Sequence, residues 1–191
     1  MTGAKSSHKI LVTATSIPDV LVIEPKVFGD ERGWFIESFN AQDFSGATGL
    51  NVNFVQDNHS FSRQLTLRGM HYQLEKTQGK LVRVVSGAVY DVAVDLRTSS
   101  HTFGKWVGEE LSADNHKQLW IPPGFAHGFL VLSAAAEFLY KTTDYYHPQS
   151  EVCLAWNDPT VNIQWPLISG VLPNLNAKDS AGLSWDKAPK F

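Results

Sequence analysis

One cysteine, Cys153, occurs in the 191 residues. A lone thiol excludes an internal disulfide framework and a zinc site built on cysteines. Long apolar runs are missing too: nothing approaches the roughly 18 consecutive apolar residues of a membrane span. Lys5 and Lys9 precede only a short apolar stretch, Ile10-Leu11-Val12, too brief for the core of a signal peptide. There is no excess of positive charge, the formal net charge being -3, so no basic field is available to hold a nucleic-acid backbone. A phosphate-bearing ligand must then be held by locally placed Arg and Lys. Low-complexity tracts, repeats of fixed period and a glycine-rich dinucleotide fingerprint are all lacking. These absences point to a cytoplasmic protein that binds neither nucleic acid nor membrane.

What remains is ordinary globular composition, with 43% hydrophobic and 18% charged residues, in a chain long enough for one domain with its own core. Helical periodicity is weak. Instead, short apolar or alternating runs rich in β-branched and aromatic residues are separated by Gly, Pro, Asn, Asp or Ser. They fall at 20–23, 34–39, 54–56, 66–73, 81–85, 89–96, 106–111, 118–121, 128–132, 137–142 and 151–156. Ser86-Gly87 is the best hairpin signal, since Gly accepts the positive φ of a tight turn. Along 89–95, Tyr90, Val92 and Val94 share one face, while Asp91, Ala93 and Asp95 share the other, which must be wet or line a polar cavity. Helical turns are expected only at 41–45 and near Ser180. The sequence therefore predicts a single all-β domain over 1–191, a mostly antiparallel barrel or double sheet of ten or more strands. An N-terminal arm (1–17) and a C-terminal tail (180–191) flank it.

Three stretches are too polar for their apolar frames. In the first, Gly29-Asp30-Glu31-Arg32-Gly33-Trp34-Phe35-Ile36-Glu37, two glycines bracket an arginine, as a turn presenting a guanidinium would. Alone, that pattern is more often a solvated hairpin tip. The second combines Gln56-Asp57-Asn58, Leu67-Arg68-Gly69-Met70-His71-Tyr72-Gln73 and Gln78-Gly79-Lys80. Arg68 and His71 are an odd number apart and face opposite sides of a strand unless Gly69 makes a bulge. An isolated histidine in an apolar frame is more often a core residue than a catalyst. Arg, His and Lys within about a dozen residues suit an anion site with a base poised near neutral pH. The third, Pro122-Pro123-Gly124-Phe125-Ala126-His127-Gly128-Phe129, delivers His127 at the start of a strand.

With Gly69…His71, this last element is similar to the two histidine motifs of the cupin superfamily, which implies a jelly-roll β-barrel with a few short helical turns. His71 and His127 alone are too few for a metal centre, so no metal is expected. The resemblance narrows further. Arg32…Phe35…Glu37, Gln56-Asp57-Asn58, the Leu67–Gln73 run, Gln78-Gly79-Lys80, the His127 element, Glu137-Phe138-Leu139-Tyr140-Lys141 and Lys178-Asp179 stand in the order found in dTDP-4-dehydrorhamnose 3,5-epimerases. The match runs from about Pro18 to Trp185.

That resemblance implies an isomerase needing no cofactor, acting on a dTDP-linked 4-keto-6-deoxy sugar. By resemblance His71 is the general base, Asp179 its carboxylate partner, Tyr140 the proton donor on the opposite face, and Lys80 the cation near the C4 oxygen. Arg32 and Arg68 are implied for the diphosphate, Phe35, Gln56 and Asn58 for the nucleoside end, and Asp57 for substrate binding. Glu37, His127, Glu151 and Lys178 match further substrate-binding positions. The family forms homodimers, so Arg32 or Glu37 is placed to serve a partner's ligand. The loop at 74–77 looks shorter than in relatives and 168–177 longer. Rival readings are a relative inverting C3 or C5 alone, a ketoisomerase, a non-catalytic sugar-nucleotide-binding cupin and a metal-dependent dioxygenase.

Overall fold

The computed structural model describes residues 5, 6 and 9–191; residues 1–4, 7 and 8 of the expected arm lie outside these. In chain order the strands are β1 (Lys5–Ser6), β2 (Ile10–Ala14), β3 (Leu21–Pro25), β4 (Val27–Asp30), β5 (Gly33–Ile36), β6 (Gln56–Arg63) and β7 (Leu67–Gln73). There follow β8 (Lys80–Ser86), β9 (Ala88–Asp95), β10 (Trp106–Ser112), β11 (Gln118–Ile121), β12 (Phe125–Val131), β13 (Ala135–Thr142) and β14 (Glu151–Cys153). Two short helices, α1 (Ala41–Thr48) and α2 (Ala177–Ser180), lie where helical turns were expected. Asn40 caps α1 by accepting from the backbone N–H of Gln42 and Asp43, which satisfies two otherwise orphaned donors.

The strands form a seven-stranded sheet in the order β1-β2-β3-β11-β8-β13-β6 and a five-stranded sheet in the order β10-β9-β12-β7-β14. Every pairing of named strands is antiparallel. A separate hairpin, β4–β5, stands away from both with all but its last residue exposed. This is the cupin-type jelly roll. Between the sheets, Val82, Val84, Leu119 and Phe138 meet Val89, Ala93, Phe125 and Phe129. The Phe129 and Phe138 rings stack at 4.3 Å. Truncating Phe138 to alanine there costs about 3–5 kcal/mol. The outer face of the smaller sheet is covered by the C-terminal segment through Leu154, Val161, Ile163 and Ala188. The expected tail therefore packs back on the body.

Two expectations are corrected by the topology. Ser86-Gly87 does not close a hairpin, because β8 pairs with β11 and β13 whereas β9 pairs with β10 and β12. It is the corner where the chain leaves one sheet for the other. Gly87 has φ +76°, and a Cβ there would sit 2.0 Å from the Ala135 carbonyl oxygen, so the close approach as well as the conformation demands glycine. Second, strand β6 extends to Arg63, well past the expected 54–56. Its residues Gln-Asp-Asn-His-Ser-Phe-Ser-Arg alternate half-buried and exposed with few apolar side chains. Hydrophobic alternation could not reveal a strand whose inner face meets a polar cavity.

Candidate active site

The inner faces of the two sheets diverge at one end to leave a cavity of about 370 Å³. From the five-stranded sheet come Arg68 and His71 on β7 and His127 and Phe129 on β12. From the seven-stranded sheet come Asn58 on β6, Lys80 on β8, and Phe138 and Tyr140 on β13. The C-terminal segment closes the wall with Asn176, Lys178 and Asp179. His71 and Tyr140 thus project into one space from facing sheets.

The expected bulge is what lets Arg68 and His71 share it. His127 pairs with His71 and Phe129 with Arg68, so β7 spends one more residue than β12 between these rungs. Gly69 carries the irregularity at φ +138°, and a Cβ on it would lie 2.5 Å from Gly128 Cα. Two glycines face each other where the strands crowd together, which is the use a bulge makes of them.

His71 Nε2 lies 2.5 Å from Asp179 Oδ1, with the carboxylate 1% exposed. Asn176 caps α2 by accepting the Asp179 N–H at 2.7 Å, so the turn that places this carboxylate is itself fixed. A second imidazole–carboxylate pair lies deeper: His127 Nε2 is 2.9 and 3.1 Å from the two Asp91 oxygens. Burial pushes the Asp91 carboxyl up and the His127 imidazole down, and each partner's charge opposes the shift. Lys80 stands beside them. Burial lowers its pKa to about 8, against the pull of Asp91 and Glu151. Tyr140 is raised, first by burial and then by Glu151, with Arg68 opposing, so its phenol holds its proton at neutral pH.

At the rim, Arg68 is oriented by donating to Ser62 Oγ at 2.9 Å and to the Phe61 carbonyl at 3.3 Å. Glu151 accepts from Lys178 at 2.5 Å and from the Tyr146 hydroxyl at 2.7 Å. Gln56 donates to Asn58 Oδ1 and accepts the Tyr146 N–H. Asp57 points to the opposite face of β6 and pairs with Lys141 at 2.9 Å. Arg32, Phe35 and Glu37 are not brought into the cavity. Arg32 and Phe35 sit on the exposed hairpin, where Arg32 folds onto Asp30, and Glu37 just beyond it binds Lys9 and Asn40.

The model of the dTDP-4-dehydrorhamnose 3,5-epimerase family matches residues 14–187. The chain belongs to this family. It is 58% identical over 180 residues to the dTDP-4-dehydrorhamnose 3,5-epimerase of Salmonella typhimurium, covering 94% of this chain and 97% of that one. It is 57% identical over 179 residues to the enzyme of Pseudomonas aeruginosa, covering 94% and 98%. Among solved structures, it is similar to a Legionella pneumophila dTDP-6-deoxy-D-glucose-3,5-epimerase in complex with dTDP-4-keto-L-rhamnose. There the TM-score is 0.91 at 50% identity, covering 94% of this chain and 95% of that one. The chain is accordingly an epimerase, an isomerase-class enzyme.

In this epimerase Asp91 holds the cavity-lining His127, a pairing with no local signal in the sequence. Its alternation with Ala93 and Asp95 flagged a polar inner face, but nothing local linked it to His127, which is 36 positions away. Asn176 and Ser62, which orient Asp179 and Arg68, carried no signal beyond being small polar residues.

Proposed function

We propose that the chain inverts both C3 and C5 of dTDP-4-dehydro-6-deoxy-D-glucose, giving dTDP-4-dehydro-L-rhamnose without a cofactor, in the cytoplasm. The C4 ketone acidifies the hydrogens on C3 and C5. Each inversion needs a base on one face, a cation at the enolate oxygen and an acid on the other face. His71 is the base, and Asp179 holds its tautomer and steadies the imidazolium that forms. Tyr140 returns the proton from the opposite side. Lys80 faces the C4 oxygen, where a pKa near 8 leaves it cationic at neutral pH yet able to share a proton. Arg68 takes the diphosphate, with the bidentate geometry a guanidinium provides. Asn58, Gln56, His127, Glu151 and Lys178 complete the binding surface.

The observation that carries this reading is that His71 and Tyr140 line one cavity from facing sheets, the disposition that opposite-face proton transfer requires. Arg32, Phe35 and Glu37 are assigned to the site of a second copy in a homodimer. The place of Arg32 and Phe35 on an exposed hairpin, with Glu37 just beyond it and Trp34 and Phe35 exposed at 61% and 67%, supports that assignment. Mixing the Arg32→Ala and His71→Ala chains tests it, because mixed dimers recover one intact site and part of the activity.

The deciding experiment incubates the enzyme with its keto-sugar nucleotide in deuterated water and reads the product by NMR. Deuterium at both C3 and C5 with L-rhamno configuration is expected. Inversion at a single carbon would replace the reading with a mono-epimerase, and a relocated ketone with a ketoisomerase.

A further inference from the structure

The chain's one thiol lies beside the proposed base. Strand β14 pairs with β7 so that Cys153 stands opposite His71, and cross-strand partners present their side chains on the same face of a sheet. Asp179 approaches both from α2, its Oδ1 2.5 Å from His71 Nε2 and 4.0 Å from Cys153 Sγ. Imidazole, thiol and carboxylate atoms all lie within 4.8 Å of one another. Nitrogen, sulfur and oxygen donors of these types are those that zinc and its thiophilic relatives take in tetrahedral coordination. Around such an ion, neighbouring N and O atoms stand roughly 3.4 Å apart, and S and O roughly 3.6 Å. The Sγ–Oδ1 gap needs only a few tenths of an ångström of closure. The His71–Asp179 contact must open by about an ångström. His71 keeps 25% of its side chain exposed and lines the cavity, which supplies an entry path and room for a water as fourth ligand.

We propose that His71, Cys153 and Asp179 form an inhibitory site for a zinc-type divalent cation, which silences the enzyme by capturing its base. The ion bonds to His71 Nε2, Cys153 Sγ and an Asp179 oxygen. The thiol proton leaves to solvent, and the imidazole proton moves from Nε2 to Nδ1. The thiolate and the carboxylate together match the ion's double charge. With metal on one nitrogen and a proton on the other, the ring has no lone pair left to accept a proton from C3 or C5. The binding stands on geometry alone; the inhibition rests on the reading of His71 as base.

The two parts are tested separately on the full-length chain after chelator treatment. Cadmium is titrated first and the ultraviolet thiolate-to-cadmium band recorded; Cys153 is the sole thiol, so the band reports metal bound at Cys153. The band is expected to saturate at one ion per chain and to vanish in Cys153→Ser and Cys153→Ala. Zinc is expected to inhibit epimerisation reversibly, with EDTA restoring it. Cys153→Ser keeps its metal-free turnover and needs roughly tenfold or more zinc for the same inhibition. No band in the folded wild type, or equal zinc sensitivity in a folded Cys153 variant, overturns the proposal. A chain without epimerase activity would still show the band, so failure of the functional reading appears only in the NMR experiment.

Discussion

Asp91 and Asp95 sit four residues apart on the same face of β9, and both are fully buried. Their surroundings make them opposites. Asp95 accepts from Arg97 Nε and Nη2 at 2.9 and 2.8 Å, and from the hydroxyls of Ser100 and Thr102 at 2.6 Å each. Burial disfavours its charge, but these donors outweigh burial and hold its pKa at about 2. Asp91, buried behind the cavity-lining His127, has that imidazole as its hydrogen-bond partner and Lys80 nearby, and there burial wins and raises it. Burial therefore does not distinguish a structural carboxylate from a chemical one. The number and permanence of the donors do: an arginine and two hydroxyls lock a charge in place, whereas one imidazole leaves a proton to be shared.

The cavity side of this comparison should break kinetically and the Arg97 side thermodynamically. The largest effect is expected at His71, where substitution by alanine should lower kcat by roughly 10²- to 10⁴-fold while dTDP binding persists. Turnover and calorimetric affinity check this, and undiminished turnover would remove His71 from its role. Next comes the contrast itself. Asp91→Asn should cost about ten- to a hundredfold in kcat/KM through misorientation of His127, with little change in Tm. Asp95→Asn should lose about 2–3 kcal/mol of stability with kcat per folded molecule retained. Measuring melting and kinetics on both variants would expose the comparison as false if the two patterns came out exchanged.

The smallest effect is in pH dependence. The folded pKa of Lys80 is lowered from 10.5 to about 8, so its cationic form prevails below that pH and is lost above it. The profile of kcat/KM should therefore carry a limb that falls as pH rises through about 8. Lys80→Arg, whose guanidinium does not deprotonate in this range, should flatten that limb at a reduced rate. A limb of unchanged position in this variant would assign the titration to another group.

Much of this was readable along the chain. Alternation and punctuation located most strands, helical turns were expected where α1 and α2 stand, and Gly69 between Arg68 and His71 announced a bulge. Less legible were β6, whose polar inner face erased the hydrophobic signal, and Gly87, where a turn dipeptide marks a passage between sheets. A positive φ is a local property; which strand lies next is not.

Local order, by itself, determined the residue types, the strand-forming runs and the ordered motifs that identify the family. Only the tertiary structure decided that Asp179 reaches His71 across 108 positions, that Asp91 rather than solvent meets His127, and that Arg32 and Phe35 project away from their own cavity. Pairings of this kind depend on register and on which sheet each strand joins. Those are set by burial summed over the whole core, a quantity no short stretch of sequence contains.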